Sequence, residues 1–437
     1  MKRLFIVAGI LFWQISLAQT PDSLTLDDCY RRAVANYPLT NQFELLASKN
    51  KIQLKKLNTN YLPHLNINGQ ASYQSDVTQV EVVFQPMYLP PPLDIQLPAL
   101  TPDIPVPPKD QYRITLGLNQ TIYDGGITSR QKYVERTNLE IDRQNVEIEL
   151  YKLKEQINQV FFGIVLLQEN SKLLIVFKKE ISNKLKDIET AVKYGIALES
   201  DKDVLLAELI KIEQQLEEVE ITKNAWFRVL GELMSVKADP STYLILPDPH
   251  YAPGKFENSR LEYELFDLQK EKINATKRLT SAQWMPKLMG FGQLGYGKPG
   301  LNMMNNTFDT YYIVGASLNW NIWNWNKYKK ENQILDLQSL IINSRKETFN
   351  KITRITAEND IAEIRKYEAL IRKDHEIIEL RDKIAGTASS QLDNGIITST
   401  DYVTKVNDAV QSKINLETHK IQLVQAKMKY LATIGEL

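Results

Sequence analysis

The sequence predicts an α+β membrane protein made of two tandem repeats, each supplying two β-strands and one long helical hairpin. Three observations predict this fold class. Short motifs recur in the same order 200 residues apart, several segments alternate apolar and polar residues, and two long runs show helical spacing with little glycine or proline. After a signal peptide at 1–19, the repeats are predicted at 20–245 and 246–437.

The first residues have the pattern of a secretory signal peptide. Lys2 and Arg3 precede an apolar stretch at 4–13, and a small-residue pattern ends at Ala18. We expect cleavage after Ala18 or Gln19 and export across the inner membrane. A retained anchor helix is the alternative, although the apolar stretch is short for a membrane span.

Composition narrows the class of protein further. The 437 residues carry 53 basic and 53 acidic side chains, so no electrostatic footprint for nucleic acid is present. Beyond the signal peptide no uninterrupted apolar run approaches the ~18 residues of a membrane helix. The mature chain is therefore either soluble or enters a membrane as β-strands. Cys29 is the only cysteine, which excludes an intrachain disulfide and is expected to be a small buried residue.

The duplication is visible in three pairs of motifs. They are "YLPHL" (61–65) with "WMPKL" (284–288), "LGLNQTIYDGG" (116–126) with "ASLNWNIWNWN" (316–326), and "YGIALESD" (194–201) with "NGIITSTD" (394–401). Because the landmarks keep their order, each half is predicted to repeat one structural unit.

Each repeat begins with two predicted strands. They lie at about 64–84 and 111–123 in the first repeat and at about 286–297 and 310–323 in the second. In 111–123, Ile114 and Leu116 share one parity with other apolar residues. Thr115 and other polar residues share the opposite parity. This alternation suits a sandwich in water or a barrel wall between lipid and a wet lumen.

Between the first two strands lies a proline-rich segment at 85–110. Nine prolines occur within 85–108. Since proline cannot donate to a strand ladder and blocks helix, we expect a stiff, extended external loop. A proline-rich docking motif for a partner is the alternative.

Long helical hairpins follow at 127–232 and 327–434. A helix of some 65 residues would be on the order of 100 Å long and needs lateral partners, which favours coiled-coil packing. Gly195 and Gly395 are predicted to end the first helix of each hairpin. Asp201 and Asp401 suit the cap of the return helix.

Four strands cannot close a barrel, and open edges are excluded from lipid. Three chains would supply twelve strands, so we expect a homotrimer with outer-membrane lipid around the barrel. Eleven steps of ~3.3 Å at a tilt near 40° rise roughly 28 Å, close to the ~25 Å apolar band of such barrels. The aromatic girdle is predicted at Tyr112, Tyr123, Tyr312, Trp320 and Trp323, with Trp323 at the strand end because its parity is wrong for the lipid face.

In the order and spacing of "LTLDDCYRRAVANYP" (24–38), "YLPHL", "LNQTIYDGG" and the two "GI…D" tips, the chain resembles the TolC-family outer-membrane efflux proteins. The resemblance covers essentially the whole mature length. It implies a trimeric twelve-stranded β-barrel, four strands per chain, in the outer membrane of a Gram-negative bacterium. It also implies a continuous α-helical barrel in the periplasm, a periplasmic adaptor protein, and an inner-membrane RND, ABC or similar pump.

The resemblance also implies roles for the hairpin tips. Asp401 matches an aspartate lining the narrow periplasmic aperture, Asp201 matches a tip aspartate that holds neighbouring helices, and Thr404 stands at a second aperture position. Simple helix capping is the alternative for both aspartates, whereas rings of three carboxylates would attract cations. Leu392 and Ile397 stand where some members have a tyrosine and an arginine, so a gate here would depend more on packing. The predicted adaptor contact comprises Gly195, Ile196, Gly395 and Ile396.

No catalytic, cofactor or metal site is predicted. The four histidines, His64, His250, His375 and His419, stand apart without zinc-type spacing. "GFGQLG" (290–295) matches G-x-G-x-x-G, but no helix opens after it. The expected function is a passive export conduit in a tripartite efflux or secretion system. A soluble periplasmic coiled-coil scaffold is the alternative, and an enzyme lacks any convergent set of reactive groups.

Overall fold

The computed structural model describes residues 23–250 and 259–437. The predicted signal peptide at 1–19 lies outside the described residues. The helices and strands, in chain order, are β1 (Ser23–Leu24), α1 (Leu26–Asn36), α2 (Gln42–Asn58), β2 (His64–Tyr73), β3 (Met87–Leu89), β4 (Ile95–Leu97), β5 (Asp110–Tyr123), α3 (Ile127–Lys193), α4 (Glu199–Met234), β6 (Tyr243–Leu244), α5 (Leu261–Ala282), β7 (Lys287–Lys298), β8 (Asp309–Asn319), α6 (Lys327–Asp393) and α7 (Ser399–Ile434).

The chain forms two compact units. Among the described residues, the first contains 23–43, 143–250, 259–265 and 345–437, and the second contains Glu44–Asp142 and Phe266–Ser344. Each unit draws on both predicted repeats. The predicted boundary at residue 245 separates two copies of a duplicated sequence, and the two compact units do not test it. It stays a prediction.

The second unit contains a four-stranded antiparallel sheet. Its strand order is β2-β5-β7-β8, and each neighbouring pair is antiparallel. Among the described residues, β2 and β8 are the outer strands of this sheet, and each leaves one row of backbone hydrogen-bonding groups without a partner strand.

The strand register places the apolar residues on one face. Leu116 lies opposite Ile67 and Leu294, and Leu294 lies opposite Tyr312. Directly opposed residues share a face of an antiparallel sheet. Ile67 is 74% exposed and Tyr312 77% exposed, so this apolar face is uncovered by the chain itself. Thr115 on the other face lies opposite Asn68 and Gly295, and the alternation in the sequence is therefore present in the sheet.

Two strands end earlier than the alternation in the sequence predicts. β2 ends at Tyr73 rather than near 84, because its partner β5 begins at Asp110, which lies opposite Tyr73. β8 ends at Asn319 rather than near 323, since β7 begins opposite it at Lys287. The partner strand sets the end in both places.

The proline-rich loop contains a small hairpin that proline content did not predict. β3 and β4 pair in antiparallel fashion, with Tyr88 opposite Gln96. Both strands are three residues long and contain no proline, so each N–H remains able to donate. An isolated bridge joins Phe84 to Leu100 beyond them.

The long helices have equal lengths in the two halves of the chain. α3 and α6 each have 67 residues, and α4 and α7 each have 36. At ~1.5 Å per residue the longer pair are on the order of 100 Å long. Long helical hairpins are therefore present where the sequence predicts them.

In the first unit, the turn-proximal parts of the hairpins pack around a shared apolar core, here called the tip cluster. Its buried members are Phe177, Ile181, Leu185, Ile188, Leu205, Ile212, Ala388, Leu392, Tyr402, Val403 and Val406. Residues from all four long helices contribute, so the two hairpins bury their apolar stripes against each other.

By length and composition, α3 is the one helix among the described residues with an 18-residue window apolar enough to cross a membrane. Core helices can meet the same test. Phe161, Phe162 and Ile164 of this helix are almost fully buried inside the chain. Cys29 of α1 is also fully buried, as expected.

Candidate functional site

The two hairpin tips have the same backbone geometry. The N–H of Gly195 donates to the Val192 carbonyl (2.9 Å) and that of Ile196 to the Ala191 carbonyl (2.8 Å). Gly195 has φ +70° and Gly395 φ +66°. These are the bonds and the left-handed residue of a Schellman helix end. The second tip repeats the pattern, and its N–H groups donate to the carbonyls of Leu392 and Gln391.

The exposed apolar residue of each tip follows this glycine. Ile196 is 80% exposed and Ile396 69% exposed. Both isoleucine side chains therefore lie outside the apolar core of the tips.

Asp401 is part of a helix cap. The Asp401 N–H donates to Oγ1 of Thr398 (3.2 Å), while Thr398 Oγ1 donates to Asp401 Oδ2 (2.8 Å). Hydrogen bonds from the Thr398 side chain and backbone hold the pKa of the Asp401 carboxyl below its usual range. The capping role is therefore present, and the carboxylate remains exposed beside it.

Asp201 does more than cap its own helix. Its Oδ2 accepts from the N–H of Leu198 (3.4 Å), and its Oδ1 accepts from the N–H of Ser399 (3.1 Å). Ser399 opens α7, so the Asp201 side chain joins the start of α4 to the start of α7. Leucine at 198 cannot accept a cap bond, which leaves this tip with the weaker cap.

A buried lysine makes another link between the hairpins. Lys184 Nζ on α3 lies 2.8 Å from Oδ1 of Asp393 at the end of α6. The same ammonium lies 5.4 Å from the ring centroid of Tyr402, a member of the tip cluster. Burial raises the pKa of Tyr402, whose hydroxyl stays neutral. Sequence analysis missed this pair, although Lys184 lies between Ile181 and Leu185 on the buried stripe of α3.

The other residues predicted to form a gate are placed as follows. Thr404 is exposed, and its Oγ1 donates to the Thr400 carbonyl (2.8 Å) within α7. Leu392 is a buried member of the tip cluster, and Ile397 packs against it. Both residues therefore contribute apolar packing at the tips.

A shallow groove of about 450 Å³ lies beside Asp401. Lys383, Gln391 and Lys405 line it together with the carboxylate. The Lys405 ammonium contributes to lowering the Asp401 pKa, after the larger effect of Thr398. One carboxylate and two ammonium groups therefore share this surface.

The predicted aromatic residues lie toward the two ends of the sheet. Tyr112 and Tyr312 are near the loop ends of β5 and β8, and Tyr112 stacks on Phe308 at 6.2 Å between ring centroids. Trp320 and Trp323 follow the end of β8 and are 54% and 71% exposed.

Tyr123 reaches the apolar face through a bulge. The register shifts between Thr121 and Tyr123, so that Tyr123 lies opposite Leu288. Leu288 in turn lies opposite Leu318 of the apolar face. A β-bulge inserts one residue and reverses the parity beyond it, which strict alternation could not reveal.

The strand-to-helix turns of the two halves share an unusual backbone. Gly125 and Gly126 have φ +73° and +82°, and the equivalent Trp325 and Asn326 have φ +47° and +57°. Glycine adopts this region freely, whereas a side chain other than glycine costs roughly 1–2 kcal/mol. The second turn therefore keeps the geometry of the first with less suitable residues.

No group of three or more metal-ligating side chains is gathered anywhere in 23–250 or 259–437. His419 is the histidine with a carboxylate partner there, since its Nδ1 lies 2.6 Å from Oδ2 of Asp374. A carboxylate and one imidazole form a link between α6 and α7, not a metal centre.

Solved structures of other proteins share this architecture. The Vibrio cholerae outer membrane protein VceC is similar over 94% of this chain and 96% of its own, with TM-score 0.62 and 11% identity. The Campylobacter jejuni CmeC outer membrane channel covers 94% and 85%, with TM-score 0.63 and 12% identity. The Neisseria gonorrhoeae MtrE outer membrane channel covers 94% and 88%, with TM-score 0.62 and 11% identity.

The chain has the fold of the TolC-family outer-membrane channels.

The resemblance seen in the sequence is thereby confirmed for the TolC-type fold. No family model matches the sequence, and no curated protein matches it. At 11–12% identity these neighbours share the arrangement of elements, so the role of each side chain rests on the contacts described above.

Proposed function

We propose that the chain is one protomer of a homotrimeric outer-membrane channel, a passive conduit in a tripartite efflux or secretion system. In this proposal the sheet lies in the outer membrane of a Gram-negative bacterium and the helical hairpins extend into the periplasm. The observation that carries it is a sheet with two open edges and an uncovered apolar face.

The open edges support assembly with identical copies. Unpaired backbone groups cost several kcal/mol each in lipid, so an open four-stranded sheet is not viable there. β2 and β8 run in opposite directions across the sheet order, so β8 of one copy can pair with β2 of the next in the same antiparallel pattern. Three copies give twelve strands, an even number within the range of known barrels.

The exposed apolar face supports a lipid environment. In a soluble sandwich this face would be covered by a second layer. Here Ile67, Val314 and Leu318 are 74%, 78% and 68% exposed. Lipid chains would cover them, while the face with Asn68 and Thr115 would line a wet lumen.

Matching elements in the two halves of the chain support the two predicted repeats, 20–245 and 246–437. The equal helix lengths and the matching φ values of Gly195 and Gly395 are difficult to explain without it. The left-handed turns that precede α3 and α6 are further support for duplication.

The tips would form the periplasmic gate. Asp201 and Asp401 would each give a ring of three carboxylates, with Thr404 beyond them, and such rings attract cations at a constriction. The exposed Ile196 and Ile396 would contact a periplasmic adaptor, through which an RND, ABC or similar inner-membrane pump delivers substrate.

A pair of lysine substitutions tests the channel against the soluble scaffold. Val314→Lys lies on the apolar face and Ser317→Lys on the opposite face of the same strand. In a membrane barrel a lipid-facing lysine costs about 2–4 kcal/mol near the bilayer centre, while the lumen tolerates it. We expect V314K to lose membrane-embedded trimers and bilayer conductance, and S317K to keep both.

A soluble scaffold gives a different result. Both positions are exposed in the chain, so both variants would stay soluble and folded without detergent. Equal behaviour of the two variants, with recovery in the soluble fraction, would overturn the proposed channel.

A further inference from the structure

The turn between β8 and α6 carries an exposed tryptophan at a left-handed backbone position. Trp325 takes a left-handed conformation (φ +47°), yet its side chain is 79% exposed. Its aromatic contact is with Trp323, at 6.1 Å between ring centroids, and Trp323 is also exposed. A strained residue persists where something else stabilises it. A backbone bond from the Lys327 N–H to the Asn324 carbonyl (2.8 Å) closes the turn, and the Trp325 indole stays exposed outside it.

In the equivalent turn of the first half, hydrogen bonds to a carboxylate stabilise the backbone. Asp124 accepts from the N–H groups of Gly126 (2.8 Å) and Thr128 (2.7 Å), and from the hydroxyl of Tyr61 (2.8 Å). The second half has Asn324 at this position, and within the described part of the chain its side chain makes no such bonds. The second turn has thus lost both its glycines and its carboxylate cap.

In place of this support, the second turn presents aromatic and cationic groups outward. Lys327, Lys329 and Lys330 follow the tryptophans, and all three are exposed. Lys327 has a long contact with Glu331 (3.8 Å), while Lys329 and Lys330 form no ion pair among the described residues. The first half has Ile127, Ser129 and Arg130 instead, so the cluster belongs to the second half alone.

We propose that the segment 320–330, centred on Trp325, binds the headgroups of anionic phospholipids at the membrane surface on the helical side. This inference rests on the proposed channel function. Indole rings favour the interface between headgroups and acyl chains, and lysines near an anionic surface each add attraction to phosphate. Trp320 and Ile322 continue the parity of the apolar face up to this point, so the segment begins where lipid chains would end.

Brominated lipids locate Trp325 directly. A trimer retaining Trp325, with its other tryptophans replaced by phenylalanine, is reconstituted into vesicles of phosphatidylethanolamine and phosphatidylglycerol carrying brominated acyl chains. We expect loss of most of the Trp325 emission. The matched control retains Trp226 of α4 instead, and its emission should be unchanged.

Two variants test the chemistry. Trp325→Gly gives the turn the residue that the first half has at Gly125, so folding should be retained. The triple change Lys327→Gln, Lys329→Gln, Lys330→Gln removes only charge. Wild-type trimers should melt at a higher temperature in vesicles containing phosphatidylglycerol than in phosphatidylcholine alone, and both variants should lose that difference. Lys373→Gln, an exposed lysine elsewhere on α6, should keep it.

The outcomes separate the anchor from the channel. Failure of the wild type to insert into any vesicle would overturn the proposed channel. Insertion with unquenched Trp325 emission, or variants that retain the phosphatidylglycerol effect, would overturn the anchor and leave the channel intact. Emission shielded equally in detergent and in vesicles would assign the turn to contact with a second copy, which also overturns the lipid proposal.

Discussion

Nζ of Lys184 lies 2.8 Å from Oδ1 of Asp393, and this ion pair joins the two helical hairpins close to their tips. Lys184 is buried while Asp393 is half exposed, so water screens the carboxylate but not the ammonium. Removing the carboxylate would leave a buried ammonium without its partner, which is the costly way to break such a pair.

We expect Asp393→Asn to loosen the tips. The partial exposure of Asp393 reduces the effect to about 1 kcal/mol, or roughly fivefold faster amide exchange in the tip segments. Hydrogen exchange followed by mass spectrometry measures this. The control is Glu376→Gln, which breaks the fully exposed pair with Lys373 and should leave tip exchange unchanged. Equal exchange in D393N and wild type would show that the Lys184–Asp393 pair does not help to hold the tips together.

Asp201 and Asp401 should differ when each is changed to alanine. Asp201 accepts a hydrogen bond from the backbone of α7, whereas the hydrogen bonds of Asp401 lie within its own cap. D201A should therefore raise single-channel conductance in planar bilayers, because it removes one of the bonds that join the two hairpins. D401A should mainly reduce the preference for cations. If both variants changed conductance alike, the distinction between link and cap would be wrong.

Cation preference should persist to low pH. Thr398 lowers the Asp401 pKa from its usual 3.8, so the carboxylate stays charged down to and somewhat below that value. The ionised Asp401 carboxylate also contributes to the stability of the tip. That contribution is present above the unfolded pKa and is lost as pH falls through the lower folded pKa.

Thr398→Ala should return the Asp401 pKa toward its usual value. Reversal potentials measured across a salt gradient at several pH values should then show the loss of selectivity at higher pH in T398A. A coincident pH profile for the variant and wild type would contradict the assignment.

Cys29 should report global unfolding. It is fully buried, and burial raises the pKa of its thiol to about 12. The thiolate is the reactive form, so maleimide should not label Cys29 in the folded protein at pH 8 but should label it completely in denaturant. An added cysteine at the exposed Ile396 should react at once under native conditions. Rapid labelling of Cys29 in the folded protein would place α1 outside the core.

Local patterns were sufficient for much of this architecture. Gly195 and Gly395 marked the helix ends because only glycine adopts φ near +70° without strain. Alternation placed Leu116 and Ile114 on the apolar face because side chains of a strand alternate between its faces. These features depend on residues close in the sequence.

The features that sequence analysis missed depend on distant partners. The end of β2 is set by Asp110, which follows a long loop, and the bulge before Tyr123 is set by its pairing with β7. The Lys184–Asp393 pair joins residues 209 positions apart. Periodicity can show that Lys184 is on a buried stripe, but it cannot name the carboxylate that faces it.

The matched helix lengths limit how this protein can be redesigned. Since both tips contribute to one buried cluster, adding turns to α6 and α7 alone would carry Leu392 and Tyr402 past Ile181 and Leu205. Extending the periplasmic reach therefore requires the same insertion in every long helix at once. A longer variant therefore needs four matched insertions, one in each of α3, α4, α6 and α7.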